Sequence, residues 1–301
     1  MTDIIIIGAG PAGLTAAVYA LRAGKSVLVL EKGSFGGQMT FSPKIENFPG
    51  FTQISGTELA DRLVEQALAQ GAEIDIEEVT GIRHAPQGGG FVVVTDSGEH
   101  ECRAVIVATG AKHRRLDVPG EDAYIGDGIS FCAICDGAFY AGKHVAVIGG
   151  GNSALQEALL LAETAEKVTI LQNLPTFTGE QKLIDAVNAA SNIEAHFSVT
   201  VKEFYGDSEI RGAVVENAVT GEQSRVEADG FFEAIGLMPD NEPFADILTL
   251  ERGYVRAGED CTTGTPGIFT AGDCRTKRIR QIATAAADGA VAALAACDFL
   301  A

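Results

Sequence analysis

Two cysteines at C-x-x-C spacing, Cys132 and Cys135, are followed directly by a carboxylate, Asp136. A dithiol at this spacing opens and closes a disulfide, with the thiolate as the reacting species. The competing reading is half of a structural zinc site, which needs a second pair of Cys or His ligands at matching spacing. His113 and His144 stand alone, and Cys102, Cys261, Cys274 and Cys297 form no such pair, so those four read as small buried hydrophobes and no metal is expected. The dithiol lies between two glycine-rich turns, and a dithiol flanked by two nucleotide sites describes an electron relay.

The first turn is Gly8-Ala9-Gly10-Pro11-Ala12-Gly13, and its context gives it weight. An apolar strand over residues 4–7 precedes it, a helix begins near Pro11, and a second strand over residues 27–30 ends in Glu31, 18 residues after Gly13. Gly8 permits the tight turn, Gly10 lets a pyrophosphate approach the backbone, and Gly13 allows close helix–strand packing. Glu31 is placed for ribose hydroxyls. The pattern recurs 141 residues later: a strand over 145–148, the turn Gly149-Gly150-Gly151-Asn152-Ser153-Ala154, and a strand over 168–171 ending at Gln172. Gly8 maps to Gly149, Gly10 to Gly151, Gly13 to Ala154, and acidic Glu31 to neutral Gln172.

These elements need a scaffold, and the composition supplies one. A 301-residue chain with 46% hydrophobic residues and 36 glycines suits a soluble α/β protein of two domains. A formal net charge of −19 would repel nucleic acid or an anionic membrane surface, so neither is an expected partner. The N-terminus enters a strand with no basic leader, and no apolar run of membrane-spanning length stands out, so a cytoplasmic location is expected. In a reducing cytosol a C-x-x-C is more often catalytic than structural.

Buried strands running into turns at residues 105–111, through Thr109 and Gly110, and at 230–236 mark two crossings between domains. About 60 residues remain after the second crossing, too few for a further domain, so they return to complete the first. The predicted organisation is two Rossmann-like dinucleotide-binding domains, the first discontinuous: 1–112 with 240–301, and 113–239. Residues 267–273 read as a buried strand ending in Gly272 and Asp273. They precede an alanine-rich helix over 281–296 whose apolar face is broken by Thr284, Asp288 and Gly289.

Taken together, the G-A-G-P-A-G turn, the A-T-G crossing at 108–110, C-A-I-C-D, G-G-G-N-S-A, and A-G-D at 271–273 followed by Arg280-Gln281 resemble the low-molecular-weight thioredoxin reductases across almost the whole chain. That resemblance implies FAD in the first domain and a nicotinamide in the second. It places Gly37, Gln38 and Asn47 near the flavin, Asp273 at its ribityl or phosphate region, and Arg280, Gln281 and Ile282 against the isoalloxazine. It further implies a homodimer and a rotation of one domain against the other, for which Gly110, Gly126, Gly128, Gly236 and Pro239 would be the soft points. By resemblance Cys135 lies nearest the flavin and Cys132 attacks the disulfide of thioredoxin or a similar protein, with Asp136 moving the proton. Asp136 as a helix N-cap or turn residue is the structural alternative. A redox sensor without turnover, or a reductase of a small dithiol compound, are the functional ones.

The second domain departs from its family. Reductases that use NADPH carry H-R-R-x-x-x-R after the second strand, whereas this chain has Gln172 and then Asn173, Leu174 and Thr178 at the three arginine positions. Each missing charge-assisted bond forfeits about 1.5–3 kcal/mol, so NADPH is disfavoured. The passage is similar to the NADH-using flavoprotein reductases of alkyl hydroperoxide systems, which place an acid where Gln172 stands. NADH is therefore the expected donor, ahead of ferredoxin or another non-nicotinamide donor. Two basic groups in an acidic chain, Lys112-His113-Arg114-Arg115 and Arg275 with Lys277, Arg278 and Arg280, are read either as solvated surface that also neutralises phosphates or as a docking surface.

Overall fold

The computed structural model describes residues 1–42, 44–86 and 88–301. The chain forms two compact units, Met1–Lys112 with Met238–Ala301, and His113–Leu237.

The first unit opens on β1 (Thr2–Ile7), a run of isoleucines with no polar alternation because both faces of the sheet are covered. Helix α1 (Pro11–Arg22) follows, with Gly10 extended at its N-cap and Pro11 in the first turn, where its missing N–H costs nothing. Next come β2 (Val27–Glu31), α2 (Gly56–Ala69), β3 (Glu73–Ile76), β4 (Val79–His84), β5 (Phe91–Thr95) and β6 (Glu99–Val107). Ser55 caps α2 by accepting from the Glu58 amide at 3.1 Å. The sheet order is β3-β2-β1-β6-β5-β4, parallel from β3 to β6 and antiparallel beyond it.

Short strand β7 (Ala111–His113) leads into the second unit, which contains α3 (Glu121–Tyr124), β8 (Ile129–Ser130), α4 (Ala133–Asp136), β9 (His144–Ile148), α5 (Asn152–Ala162), β10 (Lys167–Gln172), α6 (Gln181–Ala189) and β11 (Ile193–Phe197). An antiparallel meander, β12 (Val199–Gly206), β13 (Ile210–Asn217) and β14 (Gln223–Glu227), precedes β15 (Gly230–Glu233). The five-stranded sheet runs β11-β10-β9-β15-β8, all parallel. Its β11-β10-β9-β15 order repeats β3-β2-β1-β6, with a meander ahead of β15 as β4 and β5 stand ahead of β6. The repeat seen in the sequence is thus a repeat of topology.

The chain returns through β16 (Leu237–Pro239), β17 (Leu250–Glu251), β18 (Tyr254–Val255), β19 (Ile268–Thr270) and α7 (Ile282–Phe299). β6 serves two neighbours on one edge: Cys102 and its predecessors pair with β5, while Val105 to Val107 pair with β19. Helix α7 packs on α1 through small residues. A Cβ at Gly289 would stand 2.1 Å from the Ala12 carbonyl oxygen, so only glycine permits this approach. The helix runs to Phe299, beyond the predicted end at 296. Against expectation, its 18 residues are long and apolar enough to pass for a membrane span. Its composition comes from alanines packed on α1, and its centre carries the ion-paired Asp288.

Candidate active site

In the first glycine-rich turn the three glycines have three different reasons. Gly8 has φ +110° and a Cβ there would meet the Ala108 carbonyl oxygen at 2.4 Å; at Gly13 it would meet the Gly8 carbonyl oxygen at 1.8 Å. Gly10 faces open space. Glu31, at the end of β2, reaches back so that its carboxylate accepts from the Ala9 amide at 2.8 Å and the Gly33 amide at 3.0 Å. Gly37 lies close over the same turn, a Cβ there standing 3.5 Å from the Gly10 Cα. Gln38 is exposed in the 3-10 turn Gly37–Phe41.

The returning segment adds to this edge. Gly272, with φ +81°, lies against Ala12, and its amide donates to Asp288 at 3.0 Å. Asp273 is largely buried, its Oδ1 has no partner, and burial pushes its carboxyl up to about 6 against the opposing pull of Lys277 and Arg280. Arg280 stacks 4.4 Å from the Tyr254 ring centroid, and Asn47 Nδ2 donates to Gln281 Oε1 at 3.3 Å. Gln281 caps α7 reciprocally with Thr284, while Ile282 packs against the cluster around Met39 and Ile54. Thr109 Oγ1 donates to Asn241 at 2.8 Å, and Gly110 is left-handed with open space beside it. An open turn and an orphaned buried carboxylate oxygen fit a bound dinucleotide in this unit.

In the second unit Cys132 and Cys135 are joined as a disulfide, with Cα atoms 5.3 Å apart. Cys132, not Asp136, caps α4: its sulfur accepts from the Cys135 amide at 3.2 Å. Asp136 ends the helix and makes no side-chain cap bond of its own. Instead its Oδ2 accepts from the Ser130 hydroxyl at 2.6 Å, Oδ1 has no partner, and burial raises its pKa against the opposing Ser130 bond. Ile134, between the sulfurs, is 64% exposed. The four remaining cysteines are buried and unpaired.

The second glycine-rich turn starts like the first. Gly149 has φ +131° and a Cβ there would meet the Ala234 carbonyl oxygen at 2.6 Å, while Ala154 is fully buried. Residues 172–180 then fold onto the turn. Gln172 is only 3% exposed, packs where a Cβ on Gly150 would fall, and donates to the Thr176 carbonyl at 3.1 Å. The Thr178 amide donates to the Gly150 carbonyl at 2.8 Å, and Gly151 has only the Thr178 hydroxyl nearby. Asn152 Oδ1 accepts from the Glu180 amide at 2.7 Å and Nδ2 donates to the Glu180 carboxylate at 3.1 Å. Ser153 is exposed, as is Asn173.

Both basic groups read from the sequence are revised. Arg275 and Lys277 turn inward: Asp288 accepts from Arg275 Nε and Nη2 at 2.9 Å each and from Lys277 Nζ at 2.8 Å. In the other group, burial lowers His113 to about 4, leaving it neutral against Phe131, and Arg115 pairs with Glu121 and Asp122. A buried carboxylate recruits nearby cations, and charge runs along a sequence do not show which of their members it will take. A Cβ at Gly128 would meet Ile210 at 2.6 Å, so glycine is required there for close packing. Ser130, Glu157 and the buried pair Glu121 and Glu233 are not singled out by the sequence, which shows Asp288 only as a break in the apolar face of α7. One legible signal was Glu157 itself, a carboxylate on the apolar stripe of α5 between Ala154 and Leu161.

Residues 2–289 match the family described as pyridine nucleotide-disulphide oxidoreductase. The chain is 42% identical to a thioredoxin reductase of Bacillus subtilis over 296 residues, 97% of this chain and 92% of that protein. It is 40% identical to a 34.2 kDa protein in the rubredoxin operon of Clostridium pasteurianum, over 99% of this chain and 97% of that one. The crystal structure of thioredoxin reductase from Streptococcus pyogenes superposes with a TM-score of 0.95 at 38% identity, covering 100% of this chain and 98% of that one. A doubled α/β dinucleotide fold, a C-x-x-C disulfide within the second copy, and full-length similarity together place this chain in the pyridine nucleotide-disulphide oxidoreductase family.

Proposed function

We propose that the protein is a flavoenzyme of the thioredoxin reductase type, passing an electron pair from a reduced donor to the Cys132–Cys135 disulfide and on to thioredoxin. The observation that carries this reading is the disulfide with Asp136 beside it, one carboxylate oxygen bound to Ser130 and the other unpartnered. FAD, when bound, would supply the two-electron carrier. Gly8, Gly10, Pro11, Ala12 and Gly13 would hold its pyrophosphate, Glu31 its ribose, and Asp273 the linker, with Gly37, Gln38, Asn47, Thr109, Gly110, Gly272, Arg280, Gln281 and Ile282 along the same edge.

Reduction of the disulfide takes two electrons and leaves two sulfurs to be protonated or held as thiolates. The Cys135 amide aimed at Cys132 sulfur stabilises a thiolate there, which suits Cys132 to attack thioredoxin's disulfide. That attack forms a mixed disulfide and expels one thioredoxin sulfur. Cys135 then attacks Cys132, releasing the second thioredoxin sulfur and restoring the disulfide. Asp136, kept protonated to higher pH by burial, would give the departing sulfur its proton.

For the donor, NADH stands ahead of NADPH, because Asn173, Leu174 and Thr178 offer no cation to a 2′-phosphate. Gly149, Gly151, Asn152, Ser153 and Ala154 would hold its pyrophosphate. A second reading, with ferredoxin or another non-nicotinamide donor, is favoured by one observation: Gln172 is buried with its amide engaged, and Thr178 closes over Gly150. Anaerobic titration of the FAD-loaded protein separates these readings. Bleaching of the flavin by NADH at lower concentration than by NADPH supports the first, and bleaching by reduced ferredoxin alone supports the second.

A further inference from the structure

Apart from Asp298 near its end, Asp288 is the only charged residue in the 18 residues of α7. It lies on the buried face, and its carboxylate gathers donors from a single loop. Oδ2 accepts from the Gly272 amide at 3.0 Å, from Arg275 Nε at 2.9 Å and from Lys277 Nζ at 2.8 Å, while Oδ1 accepts from Arg275 Nη2 at 2.9 Å. All of these donors belong to residues 272–277, the stretch that carries Asp273. The backbone around Asp273 is held on both sides: the Gly272 amide by Asp288, and the Asp273 carbonyl by Arg280 Nε at 3.4 Å. Its carboxylate Oδ1 is buried with no partner. Next to Asp288 in α7, Gly289 lies so close to the first glycine-rich turn that a Cβ would stand 2.1 Å from the Ala12 carbonyl oxygen, and a Cβ at Gly272 would meet the Ala12 Cβ at 2.9 Å. Two consecutive residues of α7 thus set the loop of Asp273 against the Gly8–Gly13 turn.

Resting on the flavin reading above, we propose that Asp288 is a positioning residue for FAD: by binding the Gly272 amide and the Arg275 and Lys277 side chains, it aims the Asp273 carboxylate at the linker between pyrophosphate and isoalloxazine. A buried ion cluster adds little stability over apolar packing of the same volume, because desolvation cancels most of the attraction. Its directional geometry is what apolar packing cannot supply. The fork of Arg275 meets both carboxylate oxygens, which fixes the plane of the guanidinium and with it the path of the chain after Asp273. The Gly272 amide, in left-handed backbone at φ +81°, fixes the path before it. Asparagine at 288 would keep the shape and one acceptor oxygen but would turn an NH2 group toward the cations, so the loop would lose its anchor while the helix kept its packing.

The test uses the full chain freed of nucleotide and titrated calorimetrically with FAD and, separately, with ADP. ADP can reach the Gly8–Gly13 turn and Glu31 but lacks the ribityl and isoalloxazine groups, so it reports a folded dinucleotide turn without sensing Asp273. Asp288→Asn should weaken FAD binding on the order of 10- to 100-fold, the usual loss when the partner that orients a binding group is removed, and leave ADP affinity unchanged. Arg275→Lys, which keeps the charge but not the two-pronged bond, should show the same selective loss to a smaller extent. Unchanged FAD affinity in Asp288→Asn would overturn the inference. Equal losses of FAD and ADP would overturn it too, because the cluster would then support the whole domain and not the flavin loop. Should Asp288→Asn fail to fold, Arg275→Lys decides by the same split between the two ligands. A wild type that binds ADP but no FAD would instead sink the flavin reading itself.

Discussion

The Ser130 hydroxyl donates to Asp136 Oδ2 at 2.6 Å and, through the same oxygen, accepts from the Cys132 amide at 3.1 Å. One serine therefore ties the proposed acid to the backbone of the cysteine proposed to attack thioredoxin. Its bond to Asp136 favours the ionised carboxylate, while burial, the larger effect, favours the protonated one. Ser130→Ala removes the weaker opposing influence, so Asp136 should keep its proton to higher pH. The alkaline limb of kcat/KM for thioredoxin should move upward, and a limb that moves down or stays fixed would show that Asp136 is not the acid.

Asp136→Asn should leave the disulfide and any bound flavin in place while slowing thioredoxin reduction by about 10²- to 10⁴-fold, the usual worth of a positioned general acid. The residual rate should also lose the limb assigned to Asp136. Single-turnover kinetics across pH measure both effects.

Asp288 should be the costliest of the buried charges to remove. It satisfies Arg275 and Lys277, whose side chains are only 3% and 7% exposed. Asp288→Ala leaves Lys277 with only the Thr284 carbonyl and Arg275 with the Thr276 carbonyl and the exposed Glu259 at 3.9 Å, and should destabilise the fold by about 3–5 kcal/mol, read as a lower midpoint in urea. These two cations also hold the Asp288 carboxyl below its usual range despite burial. Its contribution is therefore present above the unfolded pKa of 3.8 and fades as acid protonates it in the fold, so wild type and variant should converge at low pH.

Glu233 predicts the opposite behaviour. It lies beside Glu121 with neither of its own oxygens bonded, and burial with that neighbour pushes its carboxyl up to about 8. The fold prefers it protonated, so its ionisation erodes stability as pH rises from 4.5 to about 8. Glu233→Val removes that cost and leaves Glu121 with Arg115 and the amides of Leu116 and Val118. The variant should be more stable by on the order of 1–4 kcal/mol at alkaline pH, with the gain shrinking toward pH 5. Thermal unfolding at several pH values checks it.

The parts legible in sequence were those written locally. Gly8 and Gly13 each announce a backbone requirement that the structure meets, and the 141-residue offset from Gly8 to Gly149 announces the second copy. Cys132 and Cys135 lie one helical turn apart, so their pairing needs no long-range contact. Glu121 and Glu233 stand far apart in the chain, and only the packing of the second unit makes them neighbours. The role of Arg275 was hidden in another way. It looked like a surface cation because charge alone does not reveal that Asp288, on the buried face of α7, is waiting for it. Gln172 was legible as the counterpart of Glu31, but its burial depends on how residues 172–180 close over Gly150.

In the proposed relay, electrons reach thioredoxin only through Cys132 and Cys135. The most direct measurement is turnover of thioredoxin thiols by the FAD-loaded protein with a donor that bleaches its flavin, for wild type, Cys132→Ser and Cys135→Ser. The wild type should produce thioredoxin thiols continuously, and both variants should bleach their flavin and produce none. Sustained thioredoxin reduction by either variant would contradict the account.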